Sequence, residues 1–286
     1  MSYAVVDQSG YENENILEAN TIQTIVIKKL VEGLKEILTE ANWEFGAGNK
    51  NSETGDKGYI KLVAMDVKQT SLVHLKLYGE KFESYRCDKT VVCGVNMDYL
   101  HKLIKTLLNN DILTIFLRKN DENKLGFLIE NSEKNLVSEK RINLIDSSQE
   151  GVQIPTQKFD QLITMPSSDF HKVIRDMSSI ADKVEIKYTN KQLFFHCKGE
   201  FGEDTTRFGE HNGLQFQKGG IDSSDIIQAY YNLKDLQLFT KCYDLSTNVR
   251  LYMKNNYPLI IEYKVGSLGE LKLCIAPQVT DNDYYE

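Results

Sequence analysis

The chain contains no CxxC pair, no HExxH or HxH pattern and no GxxxxGK[ST] loop after a strand, so the short signatures of zinc binding, metalloprotease chemistry and phosphate cradling are missing. Its five cysteines, Cys87, Cys93, Cys197, Cys242 and Cys274, are odd in number and widely spread, which leaves reduced thiols rather than a disulfide framework. No run approaches the roughly 18 apolar residues of a membrane-spanning helix. Residues 1–15 lack a basic start and an apolar centre, and carry Asp7, Glu12, Asn13, Glu14 and Asn15 instead of a signal peptide. They read as a flexible N-terminal extension, and the protein as soluble and intracellular with no membrane partner. Zinc-finger spacing and a basic region with zipper heptads are also lacking, which argues against a sequence-specific DNA reader. Positive charge is in the minority, with a net charge of −7, and a uniformly acidic surface repels phosphate.

What the chain has is length and a repeat. Its 286 residues suffice for two cores of roughly 100 to 150 residues each. The segment from Asn96 to Lys105 (NMDYLHKLIK) is echoed from Asn232 to Lys241 (NLKDLQLFTK). In each copy a helical pattern gives way to an alternating strand, at Ile112 to Leu117 and at Val249 to Met253. A duplicated helix-then-strand unit predicts two like domains and not one catalytic barrel.

The minority cations concentrate on helices. The first helical pattern runs from about Thr24 to Ala41, with Ile27, Leu30, Val31, Leu34, Ile37 and Leu38 inward and Lys28, Lys29 and Lys35 outward. The second runs from about Met97 to Leu108, with Met97, Leu100, Leu103, Ile104 and Leu107 inward and His101, Lys102 and Lys105 outward. The third places Phe170, Val173, Ile174 and Met177 behind a start at Pro166 to Asp169, where Ser or Asp is expected to cap; His171, Lys172 and Arg175 face out. The fourth packs Leu233, Leu236 and Phe239 and leaves Lys234 and Lys241 on one side. Solvated helix faces ordinarily carry lysine, and Glu32, Glu36, Asp98 and Asp176 lie close enough for local pairs. The same bias on four helices of an acidic chain points to one positive surface.

Strands are expected at Lys61 to Met65, Leu72 to Leu77, Leu125 to Glu130, Val184 to Tyr188, Leu193 to Cys197, Leu259 to Lys264 and Glu270 to Ile275. Each half is then two helices on antiparallel sheet, an α+β arrangement. The polar stretch from Leu144 to Pro155 reads as a crossing linker.

Ala64-Met65-Asp66, Ser71-Leu72-Val73, Tyr85-Arg86-Cys87-Asp88, Gly94-Val95-Asn96, Met165-Pro166-Ser167, Arg175-Asp176, Pro258 to Tyr263 and Ile275-Ala276-Pro277 together resemble the proliferating cell nuclear antigen family, the eukaryotic-type DNA sliding clamps. The resemblance covers about residues 16 to 281, with motifs in order in both halves. It implies a fold of two similar clamp domains, 16–142 and 162–286, joined by a linker at 143–161 and closed by an acidic tail. It further implies a ring, usually a homotrimer, with helices lining a hole and a continuous sheet outside. Lys28, Lys29, Lys35, Lys102, Lys105, Lys172, Arg175 and Lys241 match positions that face double-stranded DNA, where phosphate contacts hold the duplex without reading bases. Met65, Leu72, Val152, Ile154, Pro155, Pro258, Ile275, Ala276 and Pro277 match a pocket that takes aromatic anchors of DNA polymerase and other clients. The resemblance implies a separate ATP-dependent clamp loader and neither cofactor nor bond chemistry. The expected location is the nucleus for a cellular protein and the viral replication site for a viral one.

The chain departs from the family pattern in places. Gln69, Thr70 and Cys274 replace the usual residues beside the pocket, Gly46 to Gly58 reads as an enlarged loop, Lys140 stands where the family puts Tyr, and Thr205 to Phe208 match the subunit edge faintly. The rival readings are an enzyme, for which His74, His101, His171, His196 and His211 form no ligand pattern, and a clamp-fold scaffold that is monomeric, dimeric or part of a hetero-ring and does not encircle DNA alone.

Overall fold

The computed structural model describes residues 14–48, 57–66, 68–146, 158–211, 213–218 and 226–278. Four α-helices are present among them: α1 (Thr24–Ile37), α2 (Met97–Ile104), α3 (Ser167–Ser178) and α4 (Leu233–Phe239), the last running into a 3-10 helix at Thr240–Leu245. Each half follows one order, a strand, a helix, five strands, a helix and three strands. The repeat seen around Asn96 and Asn232 is thus one part of a complete duplication. Both asparagines cap a helix start: Asn96 Oδ1 accepts from Tyr99 N at 3.1 Å, and Asn232 Oδ1 accepts from Lys234 N and Asp235 N at 2.9 and 3.2 Å.

The sheets record the same duplication. A five-stranded sheet runs in the order Ser84–Cys87, Asn15–Thr21, Ile112–Arg118, Asp121–Asn131, Leu136–Asn143. A four-stranded sheet runs Glu203–Gly209, Gln192–Lys198, Lys183–Thr189, Ile226–Asn232. A nine-stranded sheet is the C-terminal counterpart of the first fused to the N-terminal counterpart of the second, and the seam is the antiparallel pairing of Gly269–Ile275 with Ser71–Tyr78. Strand alternation sends Val73, Leu75, Leu77, Leu271 and Leu273 to one face, where they join a single buried cluster that spans both halves and includes the helix stripes. One core therefore holds the two domains as a unit.

Several sequence expectations shift in detail. The first helix stops at Ile37, four residues before Ala41, because Leu38 turns extended and Ala41 belongs to strand Glu40–Gly46. The second ends at Ile104, not Leu108, with Lys105 as its C-cap. At α3 no Ser or Asp side chain caps: Pro166 holds the N-cap position, and the Ser167 hydroxyl is buried without a partner. The first strand begins at Asn15, inside the stretch read as an extension. Residues 1–13, 49–56 of the enlarged loop, 147–157 of the linker and 279–286 of the acidic tail lie outside the described residues.

Candidate DNA-binding and partner-binding surfaces

The helices form one row. α1 packs against α2 on one side and against α4 and its 3-10 extension on the other, and α3 packs against that extension and α4. Close approach is built in at Gly33, where a Cβ would stand 2.6 Å from Cys242 Sγ. Buried stripes on all four helices face inward to the sheets, as the periodicity predicted. The opposite faces are left to solvent.

The eight candidate cations separate into three groups on this row. Lys28 Nζ donates to the Leu107 carbonyl at 3.2 Å and Lys29 Nζ to the Asp244 carbonyl at 3.4 Å, so both half-buried stems brace α1 to its neighbours. Lys35 and Arg175 pair with the acid that follows each, Glu36 and Asp176; hydrogen bonding to Glu36 raises the Lys35 pKa. Lys102, Lys105, Lys172 and Lys241 are exposed and have no carboxylate within ion-pair distance among the described residues. Lys102 Nζ lies 5.2 Å from the ring centroid of Tyr99, a tyrosine that is 59% exposed and that the sequence reading passed over. Lys241 sits on the 3-10 helix and not on α4, so it and Lys234 do not share a helix face; Lys234 pairs instead with Asp182 at 3.0 Å.

Counting along the paired strands aligns the halves residue by residue. Lys105 and Lys241 are counterparts, as are Lys29 and Lys172. The brace from Lys28 to Leu107 has a counterpart in His171, whose ring stacks on Tyr243 at 4.3 Å. Burial lowers the pKa of both His101 and His171, with nearby Lys35 adding at the first, which disfavours the charged imidazole at both positions. Lysine and arginine supply the permanent positive charge of the helix row.

On the sheet face away from the helices runs an apolar stripe. Met65 pairs with Leu72, Leu72 with Cys274, Cys274 with Ile260 and Ile260 with Tyr252, one residue per strand across the seam. Ile260 and Cys274 are 6% and 8% exposed yet stand outside the main core cluster, on the outer side of the sheet. Phe159 packs edge-on against Tyr252 and Tyr257, with centroids 5.4 and 5.5 Å apart. Of the pocket candidates, Met65, Leu72, Pro258 and Pro277 are half-buried here and Ala276 is exposed. Ile275 departs from expectation: at 1% exposure it points into the core, because alternation along its strand sends Cys274 outward. Val152, Ile154 and Pro155 lie outside the described residues. Beside the stripe, the Asp66 carboxylate accepts from Thr70 N and Ser71 N at 2.9 and 2.8 Å and shapes the turn that carries Gln69 in a left-handed conformation, φ 58°. Cys274, Ile260, Tyr252 and Phe159 could have been found in the sequence only by knowing the strand register.

A helix row on one side of a duplicated, fused sheet, with cations on the helices and an apolar stripe behind, defines a two-domain clamp-type architecture. The chain belongs to the proliferating cell nuclear antigen family: residues 16–151 match its N-terminal domain and 153–278 its C-terminal domain. It is 34% identical over 271 residues to the "Probable DNA polymerase sliding clamp 1" of Paramecium bursaria Chlorella virus 1, across 93% of this chain and 98% of that protein. Its structure is similar to the crystal structure of proliferating cellular nuclear antigen from Entamoeba histolytica, with a TM-score of 0.81 and 27% identity over 93% of this chain and 100% of the other.

Proposed function

We propose that this protein is a DNA sliding clamp and polymerase processivity factor that closes into a ring around duplex DNA and acts at sites of replication. The observation that supports this most directly is the fate of the seam strands. Gly269–Ile275 pairs with Ser71–Tyr78 inside the chain, whereas their counterparts Leu136–Asn143 and Glu203–Gly209 are both terminal in their sheets. Two complementary open edges on one chain make a head-to-tail contact that closes as a ring.

The internal seam predicts the register of that contact. Leu271 faces Leu75, and their counterparts are Ser138 and Thr206. Ser138 then faces Thr206 of the partner subunit, and antiparallel pairing places Leu136 against Phe208, Lys140 against Asp204 and Arg141 against Glu203 of the partner subunit. One apolar and two opposite-charge pairs fall in register on strands whose sequences matched the family faintly. A homotrimer is the assembly this family supplies.

In the ring, Lys102, Lys105, Lys172 and Lys241 meet phosphates, with Lys28, Lys29, Lys35 and Arg175 beside them. Each contact is weak and sequence-blind, and encirclement, not affinity, keeps the protein on DNA. The outer apolar stripe is where polymerase and other clients place apolar anchors, worth several kcal/mol at about 25 cal/mol per Å². The same row at the subunit contact reads Phe116, Gly126, Arg141, then Glu203 and Lys198 of the partner subunit. An apolar site is thus confined to the seam within each chain. The role is that of a tether with no bond chemistry of its own, loaded by an ATP-dependent partner.

The test is retention on closed circular DNA against the same DNA linearised. Loss from the linear form alone is expected; equal retention on both would refute encirclement.

A further inference from the structure

The outer sheet face holds a second feature beside the apolar stripe. One step along the strands lies the row Arg250, Glu262, Lys272, His74, Val63, and one step further the row Lys264, Glu270, Lys76, Lys61, Glu44. Five lysines and arginines thus meet three glutamates, on the face away from the helices. Glu262, 3% exposed, pairs with Arg250 at 3.1 Å, accepts from the Tyr252 hydroxyl at 2.8 Å and lies 3.8 Å from both Lys264 and Lys272. Glu270 holds Lys264 and Lys272, both at 3.1 Å. Glu44 accepts from the Tyr59 hydroxyl at 2.5 Å. Lys61 and Lys76 are left with no carboxylate in ion-pair range among the described residues, and Lys76 Nζ rests 5.3 Å from the Tyr78 ring and 6.0 Å from that of Tyr59.

Between these lysines stands His74, directly paired with Lys272 and Val63 and one step from Leu72 on its own strand. Its Nδ1 is buried and unpartnered. Burial lowers its pKa, and Lys272, Lys61 and Lys76 push the same way against the opposing pull of Glu270. Adjacent strands lie roughly 4.8 Å apart, a spacing at which one carboxylate can reach ammonium groups on neighbouring strands.

We propose that the shelf of His74, Lys61, Lys76 and Lys272 receives an acidic side chain of a client segment whose apolar anchors rest on the stripe of Met65, Leu72, Cys274, Ile260 and Tyr252. The shelf continues the stripe without a break, so one short segment spans both. Charge complementarity selects an acidic occupant, and position on the outer face separates the shelf from the helix row. This inference rests on the reading of the stripe as the client site.

The test uses two synthetic peptides with identical aromatic anchors, one carrying Glu and the other Gln at the flanking positions, followed by fluorescence anisotropy. The Glu peptide should bind the full-length protein about fivefold more tightly at low salt, as expected for a partly screened charge pair. Lys61→Gln with Lys76→Gln should abolish that preference and leave the Gln peptide unchanged. Equal binding of both peptides to the unaltered protein, or a preference that survives in the variant, overturns the shelf. If the variant instead loses affinity for a duplex oligonucleotide while keeping the peptide preference, the shelf belongs to nucleic acid and the proposal also fails. The client reading fails separately, on a Gln peptide that does not bind or whose binding survives Met65→Lys with Leu72→Glu.

Discussion

Lys140 closes the last turn of α2: its Nζ donates to the Leu103 carbonyl at 2.7 Å and to Thr106 Oγ1 at 2.8 Å. A cation at the carbonyl end of a helix satisfies an orphan acceptor and opposes the helix dipole. The lysine that stands where the family puts Tyr thus ties the edge strand to the helix row. Lys140→Met keeps the apolar stem and removes the donor. Its cost should be about 1 kcal/mol, a fall of about 2 °C in a calorimetric melt. An unchanged melt would show that the bond adds nothing.

The subunit register is open to a charge-reversal cycle. Arg141→Glu should shift the proposed trimer toward monomer in sedimentation at micromolar concentration, and Glu203→Arg in the same chain should restore it. Arg141 also donates to Asp121 at 3.1 Å and stands in ion-pair range of Glu139 at 3.0 Å, so the single variant breaks pairs within the subunit as well. Recovery in the double variant is what identifies the pairing across subunits. No recovery would place the two residues out of register.

The duplication and the four helix stripes were legible because both rest on local periodicity. Asn96 and Asn232 could be matched by eye for the same reason. What could not be read was set by non-local pairing. The family resemblance makes Ile275 a pocket residue and Cys274 a departure, but the register with Ser71 and Leu72 buries the first in the core and turns the second outward. The eight basic positions all fall on the helix row and its 3-10 extension. Their division into braces, locally paired groups and unpaired cations depends on Leu107, Asp244, Glu36 and Asp176, and the first two of these partners lie outside the helix that carries the lysine.

That division gives a graded prediction for DNA. Replacing Lys102, Lys105, Lys172 and Lys241 with Ala should flatten the dependence of log K on log salt, by about 0.9 for each phosphate that is no longer neutralised. The melt should barely move, because these side chains are exposed. Lys28→Ala with Lys29→Ala should do the reverse, lowering the melt by removing two braces while changing the salt slope less. A salt slope insensitive to the first set would remove the helix row from the DNA surface.

The thiols should be silent in the native state. All five cysteines are buried, and burial pushes Cys93 and Cys242 up to about 12 and Cys274 to about 11. The thiolate is the reacting form, so at pH 8 these groups are almost entirely protonated as well as shielded. A colorimetric thiol reagent should label fewer than about one of the five before denaturant is added and all five after it. Fast labelling of a single native thiol would overturn this expectation and point to Cys87 or Cys274, each 8% exposed.

The internal duplication supplies its own control for the client site. At the seam the outer row reads Met65, Leu72, Cys274; at the proposed subunit contact the counterparts are Lys198, Glu203 and Arg141. Met65→Lys with Leu72→Glu installs the counterpart chemistry at two directly paired, half-buried outer positions. Opposite charges on facing strands are compatible with the sheet, so the fold and the proposed trimer should survive. Client peptide binding should fall at least tenfold, because an anchor that buried apolar surface would now desolvate two charges. Sedimentation checks the first expectation and peptide anisotropy the second. A variant that remains trimeric and binds the peptide undiminished would move the client site off this stripe.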